Sequence, residues 1–281
     1  MKVWVVGSKG LVGAAMASYL EESGIACIAT PRQSLDITIK KEVEDFALQQ
    51  RPSYIINCAA FTKVDLAENE PEKALQVNAL GPLHLAQAAG AVGARFIHIS
   101  TDYVLKMVEH IPKQEDAELA VINAYGMSKL CGELALKVAA PSACIVRTSW
   151  VYGLGGHNFI SSLLHLFQKE ENVRVVCDQI GRPTFAKDLV KVLWQLKDAS
   201  GIYHIAGKTV ASRYDIARAL HAYMQEKGIV MRCLGVERAY ARDFPLPAYR
   251  PSYSVLDTSK AEKEVGYTPR FFEETLGELF L

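Results

Sequence analysis

A glycine-rich turn near the amino terminus constrains the fold of this chain more than any other feature. The segment 7–13, GSKGLVG, follows an apolar run at residues 3–6 and leads into a helical pattern over residues 11–23. Glycines at this spacing permit a tight turn and a close approach of the backbone to a ligand. The helix N-terminus adds free N–H groups and the positive end of its dipole. Placed between a strand and a helix, the segment predicts the pyrophosphate-binding turn of a dinucleotide site.

Apolar runs alternate with helical patterns through the rest of the first half. The pattern predicts strands at 26–30, 54–58, 95–100 and 143–147, and helices at 40–49, within 71–92 and at 123–137. Continuously apolar strands separated by helices are typical of a parallel sheet covered on both faces. Right-handed crossovers then give an α/β fold, a doubly wound sheet of the Rossmann type.

The pattern loosens after about residue 151. It predicts helices at 158–170, 186–197 and 213–227, a strand at 202–206, and a loop rich in Pro, Tyr and Arg at 239–254. We therefore expect a dinucleotide-binding domain formed by 1–155 and 180–207. A smaller, partly discontinuous substrate domain is expected from 156–179 and 208–281.

Composition excludes several classes of partner. Of the 281 residues half are apolar, and 31 Lys and Arg balance 31 Asp and Glu, so no electrostatic case exists for nucleic acid or an anionic membrane. Apolar runs stay well below the roughly 18 residues of a membrane span, and the N-terminus does not resemble a signal peptide. Six cysteines without a C-x-x-C pair and seven histidines without ligand spacing predict reduced thiols, no metal site and a cytoplasmic location.

Two polar motifs stand at the expected ligand edge of the sheet. Tyr125 and Lys129 are one helical turn apart, so an ammonium lies beside a phenol and is expected to lower its pKa. Such a pair supplies a general acid for carbonyl chemistry. Thr101 and Asp102 end a buried strand, where hydroxyls contact a substrate carbonyl or cap the following turn.

The end of the second strand indicates which dinucleotide binds. No acid stands there to hold a ribose 2′-hydroxyl, whereas Arg32 is placed to pair with a 2′-phosphate or to lie as a solvated loop charge. NADPH is therefore predicted over NADH, with Asp36 and Ile37 near the adenine. Asn78, unfavourable within a helix, either orders the active-site Lys or makes a plain helix–sheet contact.

Nearly the whole chain resembles the dTDP-4-dehydrorhamnose reductase family of extended short-chain dehydrogenase/reductases. The resemblance rests on the glycine turn and on DI (36–37), NCAA (57–60), TKVD (62–65), AE (67–68), VNA (77–79), STDYV (100–104), YGMSKL (125–130), GE (132–133), RTSWVY (147–152), NF (158–159), DQIGRPT (178–184) and RP (250–251). The last four groups are the most specific, because generic reductases lack them.

The resemblance implies a role for each matching residue. Tyr125 would protonate the C4 oxygen of the sugar as hydride arrives, Lys129 would hold the nicotinamide ribose, and Thr101 would bond the same oxygen. The implied substrate contacts are Thr101, Asp102, Trp150, Asn158 and Arg250. The implied cofactor contacts, together with those read from the residues themselves, are Gly7, Gly10, Leu11, Val12, Gly13, Arg32, Asp36, Ile37, Ala59, Ala60, Phe61, Thr62, Asn78, Tyr125 and Lys129. The product would be dTDP-L-rhamnose, a polysaccharide precursor.

Two segments depart from the family pattern. Residues 105–107 read LKM where relatives have an aromatic, a small or acidic residue and Gly, and residues 121–123 lack a usual Pro. Loss of that Gly matters if the backbone there needs a positive φ. We interpret these departures as a variant loop beside a site whose catalytic residues are intact. The alternatives are a non-catalytic dinucleotide-binding subunit like the methionine adenosyltransferase β subunit, or a reductase of another nucleotide-linked keto sugar. A homodimer is possible.

Overall fold

Strands and helices alternate along the chain. The computed structural model describes residues 1–107 and 109–280. The first half contains β1 (Val3–Val6), α1 (Leu11–Glu22), β2 (Cys27–Thr30), α2 (Lys40–Gln50), β3 (Tyr54–Asn57), α3 (Val64–Asn69), α4 (Pro71–Leu75), a π-helical turn (Gln76–Leu80), α5 (Gly81–Val92), β4 (Arg95–Thr101), a 3-10 turn (Asp102–Val104), α6 (Ala124–Ala139) and β5 (Cys144–Thr148). The second half contains β6 (Val151–Tyr152), α7 (Phe159–Lys169), β7 (Asn172–Val176), β8 (Ile180–Gly181), β9 (Thr184–Phe185), α8 (Ala186–Gln195), β10 (Gly201–Ile205), β11 (Ala211–Ser212), α9 (Arg213–Glu226), β12 (Gly235–Ala239), a 3-10 turn (Ala241–Asp243), β13 (Tyr253–Ser254), α10 (Ser259–Val265), α11 (Phe272–Thr275) and a 3-10 turn (Leu276–Leu279).

Six parallel strands form the central sheet in the order β10-β5-β4-β3-β1-β2. This confirms the predicted doubly wound Rossmann-type sheet. The strand order reverses between β1 and β3, because β2 lies on one side of β1 and the later strands on the other. A ligand of such a sheet binds at that switch point, outside the carboxyl ends of the strands.

Both faces of the sheet are buried, as the continuous apolar strands predict. In β1, Val3 and Val5 face one core cluster while Trp4 and Val6 face the other, and all four side chains are buried. Helices α1 and α8 contribute Met16 and Leu193 to the first cluster, and α2 and α5 complete the second. Burial on both faces anchors β1, and with it the turn that follows.

The long helix expected within 71–92 is interrupted by a π-helical turn. Pro82 has no N–H to donate to the carbonyl of Asn78, and its ring clashes with a regular helical path there. The widened turn places Asn78 inward, where its amide contacts Phe61 and Ser128. A π-bulge of this kind often accompanies a functional site.

A third core cluster joins α7 and α9 with β7 and β12, through buried side chains such as Phe167, Leu220 and Val173. The prediction of a loop over 239–254 was wrong in part. Ala239 ends β12, a 3-10 turn follows, and Tyr253 and Ser254 form β13. A strand of two residues is too short to show a periodic pattern of apolar residues. It forms only because it pairs with a neighbouring strand, as β13 does with β8. Within residues 1–107 and 109–280, no helix has the length and apolarity to cross a bilayer.

Candidate active site

A cleft of about 740 Å³ lies at the carboxyl ends of the sheet strands. It is lined by residues from the glycine turn, from the ends of β3, β4 and β5, and from α6. The structure brings sixteen of the predicted site residues together there: Gly7, Gly10, Leu11, Val12, Arg32, Asp36, Ile37, Ala59, Ala60, Phe61, Thr62, Thr101, Asp102, Tyr125, Lys129 and Trp150. Gly13, Asn78, Asn158 and Arg250 lie outside this lining.

The glycine turn has no room for larger residues. Gly7 has a φ of 78°, and a Cβ there would lie 2.7 Å from backbone atoms of Ala59. A Cβ at Gly13 would lie 2.2 Å from the Gly7 carbonyl oxygen, so Gly13 lets α1 pack on the turn and is not part of the cleft wall. Helix α1 starts at Leu11, and its first N–H groups have no partner within the helix. The turn therefore fits a pyrophosphate group.

Arg32 and Asp36 stand at the far end of the cleft. The Arg32 Nη2 lies 3.7 Å from an Asp36 carboxylate oxygen, and the Arg32 side chain is 66 % exposed. Asp36 also accepts hydrogen bonds from the Thr38 backbone and hydroxyl, which hold its loop. An exposed guanidinium in this place is free to turn toward a phosphate.

Helix α6 presents Tyr125 and Lys129 to the cleft, as their spacing predicts. Asn123 caps the helix by accepting a hydrogen bond from the Gly126 N–H at 2.7 Å. The Lys129 side chain is fully buried, and its Nζ donates to the Ile99 carbonyl at 2.6 Å and lies 3.3 Å from the His98 Nε2. Tyr125 makes an edge-on contact with Tyr103.

One electrostatic expectation was wrong for the protein without ligand. Burial raises the pKa of Tyr125, and the carboxylate of Asp102 acts in the same direction, although the Thr101 hydroxyl acts against it. Burial also disfavours the charged form of Lys129 and lowers its pKa from 10.5 to about 8. The sequence places the pair correctly but does not reveal that both groups are desolvated.

Thr101 and Asp102 lie side by side at the end of β4. The Thr101 hydroxyl donates to an Asp102 carboxylate oxygen at 2.9 Å and accepts from the Tyr103 N–H. The second oxygen of Asp102 is buried without a hydrogen-bond partner among the described residues. Burial raises the pKa of Asp102 to about 6. Besides Lys129, the site thus contains a carboxyl group whose charge changes near neutral pH.

Asp102→Asn is expected to stabilise the fold at high pH. Because the folded-state pKa of about 6 exceeds the ordinary 3.8, the native state binds more protons than the unfolded state between these values. Stability therefore falls as pH rises from 4 to 6, and the full penalty, about 3 kcal/mol, is present above that range. Urea unfolding should find the variant more stable than the parent at pH 8 and nearly equal to it at pH 4. Asp198→Asn, at a largely exposed carboxyl, is the control and should bring no such gain; equal stabilities of Asp102→Asn and parent at pH 8 would contradict the assignment.

Trp150 is held in a strained backbone conformation on the opposite wall. Its φ is 47°, in the left-handed region that disfavours residues other than glycine. Among the described non-glycine residues, only Arg51 also has a positive φ. Its indole packs on Gly181, and the Arg213 guanidinium lies 4.4 Å from the ring centre. Strain of this kind is retained where packing determines the conformation, frequently at ligand sites. Arg213 belongs to this site although no sequence motif indicates it.

The predicted residues outside the cleft have other contacts. The Asn158 side chain caps α7 and donates to the Gly153 carbonyl. Arg250 forms a bidentate ion pair with Asp65. The Asn78 side chain forms hydrogen bonds with the Phe61 backbone and with the Ser128 hydroxyl. Asn78 therefore supports the cleft wall, whereas contact of Asn158 or Arg250 with a substrate stays a prediction.

The cleft also contains basic residues that the sequence analysis did not select. Lys9, Lys63, Lys73 and His157 line it beside the predicted set. Lys9 lies within the glycine turn, so its position in the sequence already indicated a cation near the ligand. Lys63, Lys73 and His157 come from loops and a helix, and only the folded structure shows that they reach the cleft. Three lysines around one cleft favour an anionic ligand. No group of three His, Cys, Asp or Glu placed like metal ligands occurs in residues 1–107 or 109–280.

The variant segment 105–107 forms a regular contact. Leu105 is buried and forms an isolated antiparallel β-bridge with Leu119. The Lys106 N–H donates a hydrogen bond to the Glu118 carbonyl at 2.8 Å. Met107, which stands where relatives have Gly, is not among the described residues with a positive φ, so the backbone there does not require glycine. The departure from the family pattern is thus accommodated by packing beside the site.

Comparison with known proteins identifies the family. The family model described as RmlD substrate binding domain matches residues 1–280. A dTDP-4-dehydrorhamnose reductase of Mycolicibacterium smegmatis is 41% identical over 273 residues, which are 95% of this chain and 81% of the relative. The chain belongs to the dTDP-4-dehydrorhamnose reductase family.

Two further known proteins align over nearly the full length of this chain. The spore coat polysaccharide biosynthesis protein SpsK of Bacillus subtilis is 37% identical over 279 residues, covering 99% of this chain and 96% of SpsK. The structure of the Bacillus anthracis reductase in complex with NADP superposes with a TM-score of 0.93, at 33% identity, over 100% of this chain and 99% of that one. The resemblance stated from the motifs is confirmed.

Proposed function

We propose that this protein reduces the 4-keto group of dTDP-4-dehydro-6-deoxy-L-mannose with NADPH and releases dTDP-L-rhamnose, a precursor of polysaccharide. The observation that carries the proposal is the placement of Tyr125 and Lys129 in the same cleft as the glycine turn. Membership of the reductase family supports the substrate, and the complex of a relative with NADP supports the cofactor.

The side chains divide the work as follows. NADPH supplies the hydride when bound. Tyr125 donates its phenolic proton to the oxygen at C4, and Lys129 binds the ribose and, as an ammonium, stabilises the phenolate that remains. The Thr101 hydroxyl has one hydrogen, which in this structure points to Asp102, so Thr101 donates to the substrate oxygen only when Asp102 is protonated or turns away.

Arg32 is the residue proposed to bind the 2′-phosphate of NADPH and so to distinguish it from NADH. A charge-assisted hydrogen bond contributes about 1.5–3 kcal/mol, and exposure of the guanidinium places its effect at the lower end. Arg32→Ala should therefore lower the ratio of kcat/KM for NADPH to that for NADH by about tenfold. Lys40→Ala, an exposed cation paired with Glu44 outside the cleft, is the matched control. A parent enzyme clearly more efficient with NADH would refute this assignment.

A division of labour between two domains is part of the proposal. Residues 1–155 and 180–207 would bind the dinucleotide and 156–179 and 208–281 the sugar nucleotide, with Trp150 and Asp102 between them; Leu281 lies outside the described residues. The separate core around Phe167 and Leu220 supports this division. A homodimer and a cytoplasmic location stay predictions.

The decisive experiment measures NADPH oxidation with dTDP-4-dehydro-6-deoxy-L-mannose. Turnover by the parent and its loss in Tyr125→Phe are expected. A well-folded protein that binds NADPH but reduces no keto sugar would instead support the non-catalytic binding subunit. Higher kcat/KM with another nucleotide-linked keto sugar would correct the substrate and keep the reaction.

A further inference from the structure

Two buried polar side chains, Asn57 and His98, connect to Lys129 in a row of close polar contacts. Asn57 at the end of β3 and His98 in β4 are both fully buried. The Asn57 Nδ2 lies 3.0 Å from the His98 Nδ1, and the His98 Nε2 lies 3.3 Å from the Lys129 Nζ. The motifs do not include His98, and the proposed mechanism does not use it.

The backbone N–H of Ala59 determines which atom donates in each hydrogen bond from Asn57 through His98 to Lys129. The Ala59 N–H is a donor, and it lies 3.0 Å from the Asn57 Oδ1, so this oxygen is the acceptor and the Asn57 amide nitrogen faces His98. An amide nitrogen only donates, which makes the His98 Nδ1 the acceptor. A neutral imidazole then carries its hydrogen on Nε2, directed at Lys129.

An ammonium has no lone pair and cannot accept this hydrogen bond. A neutral amine can: it accepts from the His98 Nε2–H and still donates to the Ile99 carbonyl. We propose that Asn57 and His98 favour the neutral amine of Lys129 in the free protein, and that in mildly alkaline solution Lys129 takes up a proton when NADPH binds. The second half rests on the proposed function, since it requires NADPH in this cleft.

The charges around Lys129 agree with this inference. Burial lowers the pKa of Lys129 to about 8, against the attraction of Glu133 on the same helix, which is itself paired with Arg147. Burial keeps the pKa of His98 well below 6.5, so the imidazole is neutral. Among the cleft groups, burial raises the pKa of Cys58 to about 12 and that of Tyr125, while Asp102 titrates near 6. None of these three titrates between pH 8 and 9.

Proton uptake has a consequence for the active-site acid. Above about pH 8 Lys129 of the free protein is mostly neutral, and burial raises the pKa of Tyr125. Once Lys129 is an ammonium in the loaded site, it favours the phenolate and lowers the pKa of Tyr125. Above about pH 8 the general acid is therefore activated by the same event that delivers the hydride donor.

Calorimetry of NADPH binding to the whole protein in buffers of different ionisation enthalpy tests the uptake. At pH 9 close to one proton should be taken up, and at this pH the 2′-phosphate, with a pKa of about 6, is already fully ionised. Uptake predicts that the Kd for NADPH rises between pH 8 and pH 9 by up to tenfold. Tight binding at pH 9 without uptake, and with a constant Kd, would overturn the inference and leave the proposed function standing. No binding at any pH would overturn the proposed function and the uptake with it.

The tautomer can be observed without any cofactor. The ¹⁵N shifts of His98 in the free protein, assigned by its loss in His98→Gln, should report the hydrogen on Nε2. A hydrogen on Nδ1, or an imidazolium, would overturn the first half of the inference whatever NADPH does.

Asn57→Asp is the informative variant because it keeps the size of the side chain. Its carboxylate accepts from both the Ala59 N–H and the His98 Nδ1–H, which moves the imidazole hydrogen to Nδ1 and lets Nε2 accept from an ammonium. Uptake at pH 9 should then fall toward zero. Asn123→Asp adds the same charge at the N-cap of α6 without touching His98 and should retain the uptake. Loss of uptake in both variants would show a general charge effect and overturn the role of His98.

Discussion

Replacing Tyr125 by phenylalanine is expected to lower turnover by about 10²–10⁴-fold while NADPH still binds. The substitution removes only the hydroxyl, which is the proton donor to the C4 oxygen in the proposed reaction. The ring keeps its edge-on contact with Tyr103, so the local packing survives. Steady-state kinetics gives the loss in kcat, and fluorescence titration gives a Kd for NADPH that should change by less than about threefold, because binding and chemistry draw on different contacts.

Tyr103→Phe is the matched control for this experiment. Its ring centre lies 5.8 Å from that of Tyr125, and the same atom is removed. Tyr103 is not part of the cleft lining, so turnover should stay within about tenfold of the parent. Full activity in Tyr125→Phe, or equal losses in the two variants, would refute the assignment of Tyr125 as the general acid.

Removing the carboxylate of Glu133 is expected to lower the free energy of unfolding by about 3–5 kcal/mol. Glu133 and Arg147 are both fully buried and form two hydrogen bonds, of 2.9 and 2.7 Å, between α6 and β5. In Glu133→Ala the guanidinium keeps, among the residues that the structure describes, only the Glu115 carbonyl and the His204 ring as hydrogen-bond partners. An unpaired charge then lies in the core beneath the helix that carries Tyr125 and Lys129, and urea unfolding at pH 7.5 measures the cost.

Two further variants separate an ion pair from simple packing. Replacing both partners, as in Glu133→Leu with Arg147→Met, removes the stranded charge and should recover a large part of the lost stability. Lys41→Ala breaks the exposed pair with Asp45 and should cost less than about 1 kcal/mol. If the double variant is less stable than Glu133→Ala, the cost arises from cavity formation and the charge argument fails.

The elements of the first half could be predicted because local signals were strong. The apolar run of β1, the glycine turn and the start of α1 follow one another within thirteen residues, and each is legible without its neighbours. Tyr125 and Lys129 could be paired because helical periodicity alone sets their spacing. The short strands of the second half could not be read, because strands of two residues such as β8 exist only through pairing with β11 and β13.

By itself the sequence determined the sheet, its glycine turn, the family and about half of the cleft residues, since these depend on contacts close in the chain or on motifs with specific spacing. Tertiary structure alone decided the electrostatics. Burial raises the pKa of Asp102 and lowers that of Lys129, and both shifts depend on which strands and helices exclude water. It alone also placed His98 behind Lys129 and Arg213 over Trp150, from segments 31 and 63 residues away in the chain. Desolvation and the direction of a hydrogen bond are properties of three-dimensional neighbours, and no local pattern of residues encodes them.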